Sequence, residues 1–230
     1  GLRLSRLPTK EQQRLIAEAE QKKTLWLRNI GIQTVLDIGA NTGQFVDHIR
    51  SIIPEAMIYS FEPISECYKE LVTKYERMPR FEAFNLALGN QTGQASIYRN
   101  DFSPSSSLLP MAALHKQCFP YTQRENIEKI DVVRLDDIAS QLKLRKPLLI
   151  KLDVQGFEDQ VIAGGLKIFS QADIIIVEMS MEKLYESQPL FEDIYKILSD
   201  LGFRYRGNYA QLNNPQDGRI LQVDGIFIKF

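Results

Sequence analysis

Between Thr34 and Phe45 the chain reads Thr-Val-Leu-Asp-Ile-Gly-Ala-Asn-Thr-Gly-Gln-Phe, a short apolar run that breaks on two glycines and then resumes. The run is a buried strand, the glycines permit a tight turn, and the resumption starts a helix. Nineteen residues beyond Gly43 the acidic residue Glu62 closes a second apolar run, Ala56 to Phe61, and is followed by Pro63. Strand, glycine turn, helix and a second strand ending in a carboxylate form the start of an open α/β sheet. A carboxylate at that strand end can hold two vicinal hydroxyls, which makes this a nucleoside-cofactor site.

The spacing selects among nucleosides. A dinucleotide fingerprint, G-x-G-x-x-G, brings backbone close to a pyrophosphate. Here the turn is Asp37-x-Gly39-x-x-x-Gly43, and a carboxylate in that turn would repel a diphosphate. An anion suits the ammonium and sulfonium of S-adenosylmethionine better. The turn residues Asp37, Gly39, Ala40, Asn41 and Gly43, with Glu62 and Pro63, are therefore read as the cofactor site, Glu62 pairing with the ribose hydroxyls through charge-assisted hydrogen bonds. Each residue alone also has a structural reading: the glycines shape a turn, Asp37 caps a helix and Glu62 ends a strand. Their combination in order favours the cofactor.

A chain of 230 residues fits one α/β domain and would bury about 70–75% of its unfolded surface. Twenty-eight basic and 29 acidic residues give a net charge of -1 without a long block of either sign, so no nucleic-acid surface is expected. Cys67 and Cys118 lack metal-ligand spacing and are too few for a disulfide framework. No stretch approaches the roughly 18 apolar residues of a membrane span, and no basic-then-apolar leader opens the sequence. The expectation is a cytoplasmic protein with reduced thiols and no membrane span.

Along the chain, residues 8 to 29 start with a capping-box pattern and continue with helical periodicity, so residues 1–30 read as an N-terminal helical extension and 31–230 as the main domain. Strand and helix patterns then alternate: Val35–Leu36, Gln44–Ile53, Ala56–Phe61, Ser65–Tyr75 and a third strand over Phe81–Leu88. Gln94–Arg99 is a short strand, while Phe102 to Tyr121 has no clear period and reads as a flap over the substrate. Ile130–Arg134, Asp136–Gln141, Pro147–Asp153, Phe157–Phe169, Asp173–Glu178 and Leu190–Leu201 continue the alternation. Such alternation implies parallel strands with helices on both faces. The last two β-patterned runs, Phe203–Leu212 and Ile220–Phe230, are separated by Asn213 to Gly218, too short for a crossover helix, so the last strand is antiparallel. The expected fold is an α/β, Rossmann-like, mostly parallel seven-stranded sheet with an antiparallel C-terminal strand.

Asp37-Ile-Gly39-Ala-Asn41-Thr-Gly43, Phe61-Glu62-Pro63, Asn85-Leu-Ala87-Leu-Gly89 and Lys151-Leu-Asp153-Val-Gln-Gly156-Phe-Glu158, in that order, resemble the FkbM family of S-adenosylmethionine-dependent methyltransferases from about Val35 to the C-terminus. The resemblance implies a class I methyltransferase acting on a hydroxyl of a sugar, glycan or natural-product acceptor. Gln155 stands where many relatives carry Glu.

Strand-end positions supply the remaining candidates. Asn85 and Ala87 line an adenine slot, the small Ala87 admitting a flat ring. Asp153, after the apolar run Leu148–Ile150, orients the donor's amino group or acts as general base. Glu178 is a second base, and His115, in the flap, a third. The serine-rich run with Ser106 contacts cofactor or substrate. Lys151 and Glu158 read as a structural or orienting pair, and His48 as structural. No metal is expected, although Asp153 with Glu178 or Asp224 offers oxygen ligands. Against an O-methyltransferase stand a nicotinamide oxidoreductase, disfavoured by the glycine spacing, and a methyltransferase-like module without turnover, for which Gln155 is the hint.

Overall fold

The structure, a computed structural model, describes Thr9, Glu11 and residues 24–229. A helical segment, α1, covers residues 24–30. There follow β1 (Thr34–Ile38), α2 (Gln44–Ile52), β2 (Met57–Phe61), α3 (Ser65–Tyr75), β3 (Phe81–Phe84), β4 (Ala87–Leu88), β5 (Gly93–Asn100), α4 (Ala113–Cys118) and β6 (Glu125–Val133). The chain continues with α5 (Leu135–Ile138), β7 (Leu148–Leu152), α6 (Glu158–Gly164), α7 (Leu166–Gln171), β8 (Ile174–Ser180), α8 (Phe191–Asp200), β9 (Arg204–Asn213) and β10 (Ile220–Ile228).

Seven strands form the main sheet in the order β3-β2-β1-β7-β8-β10-β9. The first five in that order are mutually parallel, and β10 lies antiparallel to both β8 and β9, as the short gap before Ile220 required. Period-two alternation sends successive side chains into two separate cores. Val35, Leu149, Ile174 and Ile176 pack with Leu27, Val46, Ile49 and Leu71 on one face. Leu36, Ile38, Ile150, Leu152 and Val177 pack with Leu135, Val161, Phe169 and Leu198 on the other. The buried Val46, Ile49 and Ile52 recur along one face of α2, the apolar stripe of a helix lying on a sheet. Strand order reverses between β1 and β7, so the crevice beyond their carboxyl ends is where a ligand fits.

The run Phe81–Leu88 is two strands rather than one. β3 stops at Phe84 and β4 joins a second, three-stranded sheet of order β4-β6-β5. Asn85, between them, turns its amide onto the carbonyls of Glu62 and Pro63 at 2.9 Å each, ending the pairing with β2. The run Phe157–Phe169 is likewise two helices. A β-carbon on Gly164 would overlap the carbonyl of Gly89, a close approach that only glycine allows at the point where α6 gives way to α7. The segment Phe102–Tyr121 holds α4 and two 3-10 turns, Ser103–Ser105 and Pro120–Thr122. Of the helix expected over residues 8 to 29, residues 8, 10 and 12–23 lie outside the described residues. Among the described residues, no helix is long and apolar enough to cross a membrane.

Candidate active site

The glycine turn after β1 is held by its neighbour strand. Gly39 and Asn41 have φ of 83° and 47°, and Gly43, at 89°, is the N-terminal boundary of α2. The N–H groups of Gly39 and Ala40 donate to the carbonyl of Phe61 at 3.0 Å each. Glu62, 4% exposed, accepts the Asn41 N–H on one carboxylate oxygen and the Ile64 N–H on the other, both at 2.8 Å. Burial pushes its carboxyl up to about 7 against the pull of those two donors. Each carboxylate oxygen accepts more than one hydrogen bond, so Glu62 keeps capacity for hydroxyls. The Asn41 amide donates to Ser103 Oγ at 3.1 Å, tying the flap to the turn.

A cavity of about 1000 Å³ opens over this turn, at the upper end of the roughly 300–1,000 Å³ typical of ligand sites. Gly39, Ala40, Asn41, Glu62, Pro63, Ala87 and Ser106 all line it. Ala87 belongs to an apolar cluster with Ile64, Ile97 and Leu108, and Ala87, Ile64, Ile97 and Leu108 face the cavity as one greasy wall. Asn85 is exposed and braces the Glu62–Pro63 backbone instead of lining the cavity. Ser106 Oγ accepts the Asn100 N–H at 2.9 Å, so its hydroxyl is engaged in shaping the flap.

Asp37, read from the sequence as a cofactor contact, sits in β1, 1% exposed, and does not line the cavity. It is in register with Ser60 on β2 and Lys151 on β7. Ser60 Oγ donates to Asp37 Oδ2 at 3.4 Å, while Oδ1 is buried without a hydrogen-bond partner among the described residues. Burial pushes the Asp37 carboxyl up to about 6, opposed by the Lys151 ammonium.

Asp153, Glu178 and Asp224 line the same cavity as a carboxylate wall. Lys151 Nζ donates to Asp153 Oδ2 at 2.8 Å. Burial would weaken the Lys151 ammonium, but the carboxylates of Asp153, Asp224 and Asp37 outweigh it and hold the charge in place. Gln155 donates both amide hydrogens, to Asp153 Oδ1 and Glu178 Oε2, at 2.8 Å each. Burial, then the charges of Asp153, Asp224 and Glu158, raise the Glu178 carboxyl well above the usual carboxylate range. Asp224, opposite Glu178 across the β8–β10 pair, is also raised by burial. Lys151 is thus paired with Asp153 and not with Glu158, whose Oε1 accepts the N–H groups of Val154 and Gly156 at 3.1 Å. Among the described residues no group of three or more His, Cys, Asp and Glu side chains is arranged to hold a metal ion.

His115 lines the cavity from α4, 4% exposed, packed edge-on against Phe119 and Tyr185 at 5.3 and 5.2 Å. Its Nδ1 has no partner among the described residues, and burial lowers its pKa to about 4, so it is neutral at physiological pH. The sequence hid several wall residues. Trp26, Phe45 and His48 from α1 and α2, and Tyr209 and Gln222 from β9 and β10, also line the cavity. Their patterns read as ordinary amphipathic helix and strand, and only the return of β9 and β10 to the sheet edge brings Tyr209 edge-on to His48 at 5.8 Å.

Known proteins resemble this chain in sequence. The 2-O-methyltransferase NoeI of Sinorhizobium fredii is 28% identical over 165 residues, 67% of this chain and 66% of that protein. The chain therefore spans just under two thirds of NoeI's length. The hexuronic acid methyltransferase AglP of Haloferax volcanii is 26% identical over 199 residues, 82% of this chain and 72% of AglP. Methyltransferase sdnD of Sordaria araneosa is 24% identical over 192 residues, 74% of this chain and 73% of its own. The sequence model of the methyltransferase FkbM domain matches residues 37–205, from Asp37 in the first strand to Tyr205 in β9. With most of its sheet inside that match, the chain belongs to the FkbM family of S-adenosylmethionine-dependent methyltransferases.

Proposed function

We propose that residues 31–230 form a domain that transfers a methyl group from S-adenosylmethionine to a hydroxyl oxygen of a sugar or glycan, with residues 1–30 as an N-terminal extension. The observation that carries this reading is one cavity shared by two chemistries: it is lined both by the Glu62-braced glycine turn and by the Asp153, Glu178 and Asp224 carboxylates. The residues fit the cofactor. Glu62 would hold the ribose, Ala87 and its apolar neighbours the adenine, and the Asp153 carboxylate the cationic end, with the buried Asp37 adding negative charge behind the lining. When bound, the cofactor supplies an electrophilic methyl carbon on sulfur.

The chain's own residues then have two tasks. The walls align the acceptor oxygen, and alignment of this kind is worth up to about 7–11 kcal/mol of a barrier. Glu178 accepts the hydroxyl proton, because a carboxyl raised well above its usual range by burial and neighbouring charge is a better base near neutral pH. Sugar hydroxyls are the proposed target because NoeI is named for 2-O-methylation and AglP for a hexuronic acid. The free, buried Cys67 and Cys118 suit a cytoplasmic setting. Methyl-labelled S-adenosylmethionine incubated with a panel of oligosaccharides tests the reading. Label appearing in an O-methyl ether on sugar supports it; transfer only to nitrogen or sulfur acceptors overturns it.

A further inference from the structure

We propose that Gln155 is the positioning residue of the carboxylate wall: its amide fixes the Asp153 and Glu178 side chains in one arrangement, and Tyr185 fixes the amide. The proposal rests on the reading of that wall as acceptor-activating. Three observations carry it. The nitrogen of the amide lies 2.8 Å from Asp153 Oδ1 and 2.8 Å from Glu178 Oε2, and the Tyr185 hydroxyl donates to its oxygen at 2.8 Å. The reverse orientation would set an amide oxygen against two carboxylate acceptors, so the network itself assigns the amide. Second, the backbone of Gln155 has φ of 58°, a left-handed conformation that side-chain-bearing residues adopt seldom. Its carbonyl accepts the Ser107 hydroxyl at 2.6 Å, which pins the residue there from the flap. Strain of this kind persists where the surroundings over-determine it. Third, Lys151 donates to Asp153 directly, whereas Gln155 donates to Glu178.

The groups facing Glu178 are Lys151 from β7, Asp153 just beyond its end, Asp224 from β10, Glu158 from α6 and Tyr185 from the segment after β8. Three of the five are carboxylates against one ammonium, so an uncharged donor at position 155 favours the ionised form of Glu178, while a glutamate in the same place would add a further carboxylate and retain a proton on the cluster. The amide thereby extends the range over which Glu178 can accept a proton toward lower pH.

Carbon-13 NMR of the side-chain carboxyls in the ligand-free protein tests this, with the Glu178 resonance identified by its loss in Glu178→Gln. Gln155→Glu, nearly isosteric, and Gln155→Leu are each expected to move the Glu178 midpoint up by about one pH unit or more, a roughly tenfold gain in proton affinity. Tyr185→Phe is expected to move it in the same direction by less. A Glu178 midpoint unchanged in Gln155→Glu, in a protein with a native-like amide spectrum, overturns the proposal. Should Gln155→Leu fail to fold, the isosteric variant and Tyr185→Phe decide. The titration needs no methyl donor or acceptor, so its failure is distinguishable from a failure of methyl transfer.

Discussion

Gly39 passes so close to Asp153 that a β-carbon on the glycine would overlap the aspartate's carbonyl oxygen. The contact joins the turn after β1 to the end of β7, the two sides of the crevice, and Gly39 also needs its left-handed φ of 83°. Gly39→Ala is therefore expected to destabilise the protein by about 2 kcal/mol or more, the conformational penalty alone being about 1–2 kcal/mol. The urea midpoint would fall accordingly, and S-adenosylmethionine affinity with it.

That turn is also where the sequence was most legible. Two glycines and a strand-end acid at fixed spacing specify local backbone, and the structure corrects one part of that reading: Asp37, taken as part of the turn, lies inside β1 and does not line the cavity, because the strand runs on to Ile38. The antiparallel β10 followed from a gap too short for a helix. What stayed hidden depends on distant partners. β4 is split from β3 because the Asn85 amide binds the carbonyls of Glu62 and Pro63, and β4 then pairs with Val132 and Val133 of β6. The break between α6 and α7 reflects Gly164 meeting Gly89. In the site, Glu62 and Asp153 stood just beyond readable strands, whereas Glu178, read as the end of its strand, lies inside β8, which runs on to Ser180. Tyr209, Gln222 and Trp26 join the same cavity only through sheet order and helix docking.

Stability should fall as pH rises toward neutrality. Burial raises Asp37 from 3.8 to about 6, and Glu62 and Glu158 from 4.5 to about 7. Between those values the folded state binds more protons than the unfolded state, so the slope of unfolding free energy with pH is negative, up to about 1.4 kcal/mol per pH unit for each group. Urea midpoints are expected to be higher at about pH 5 than at about pH 7.5, with a shallower slope in Glu62→Gln. A midpoint that rises over that window would refute the assignment.

Glu178→Gln and His115→Gln should separate a base from a buried ring. Removing a general base lowers turnover by about 10²–10⁴-fold, and Glu178→Gln is expected to do so with cofactor affinity nearly unchanged. His115, lowered to about 4, is already neutral at pH 7. His115→Gln should reduce thermal stability while leaving the shape of the pH–rate profile in place.

Trp26 is the chain's single tryptophan and lies on the cavity wall. Adding S-adenosylmethionine or its demethylated product should shift its emission saturably. Trp26→Phe should abolish the optical change while calorimetric binding persists.

The central claim is that the Glu62-braced turn binds the methyl donor. Calorimetric titration with S-adenosylmethionine, beside NAD, on the unaltered protein and on Glu62→Gln tests it most directly. The expected result is saturable binding of the methyl donor at one site, no binding of NAD, and an affinity loss of about tenfold or more in Glu62→Gln, since hydrogen bonds to a charged group contribute about 1.5–3 kcal/mol. Saturable binding of NAD with none of S-adenosylmethionine, or an affinity for the methyl donor indifferent to Glu62→Gln, would contradict it.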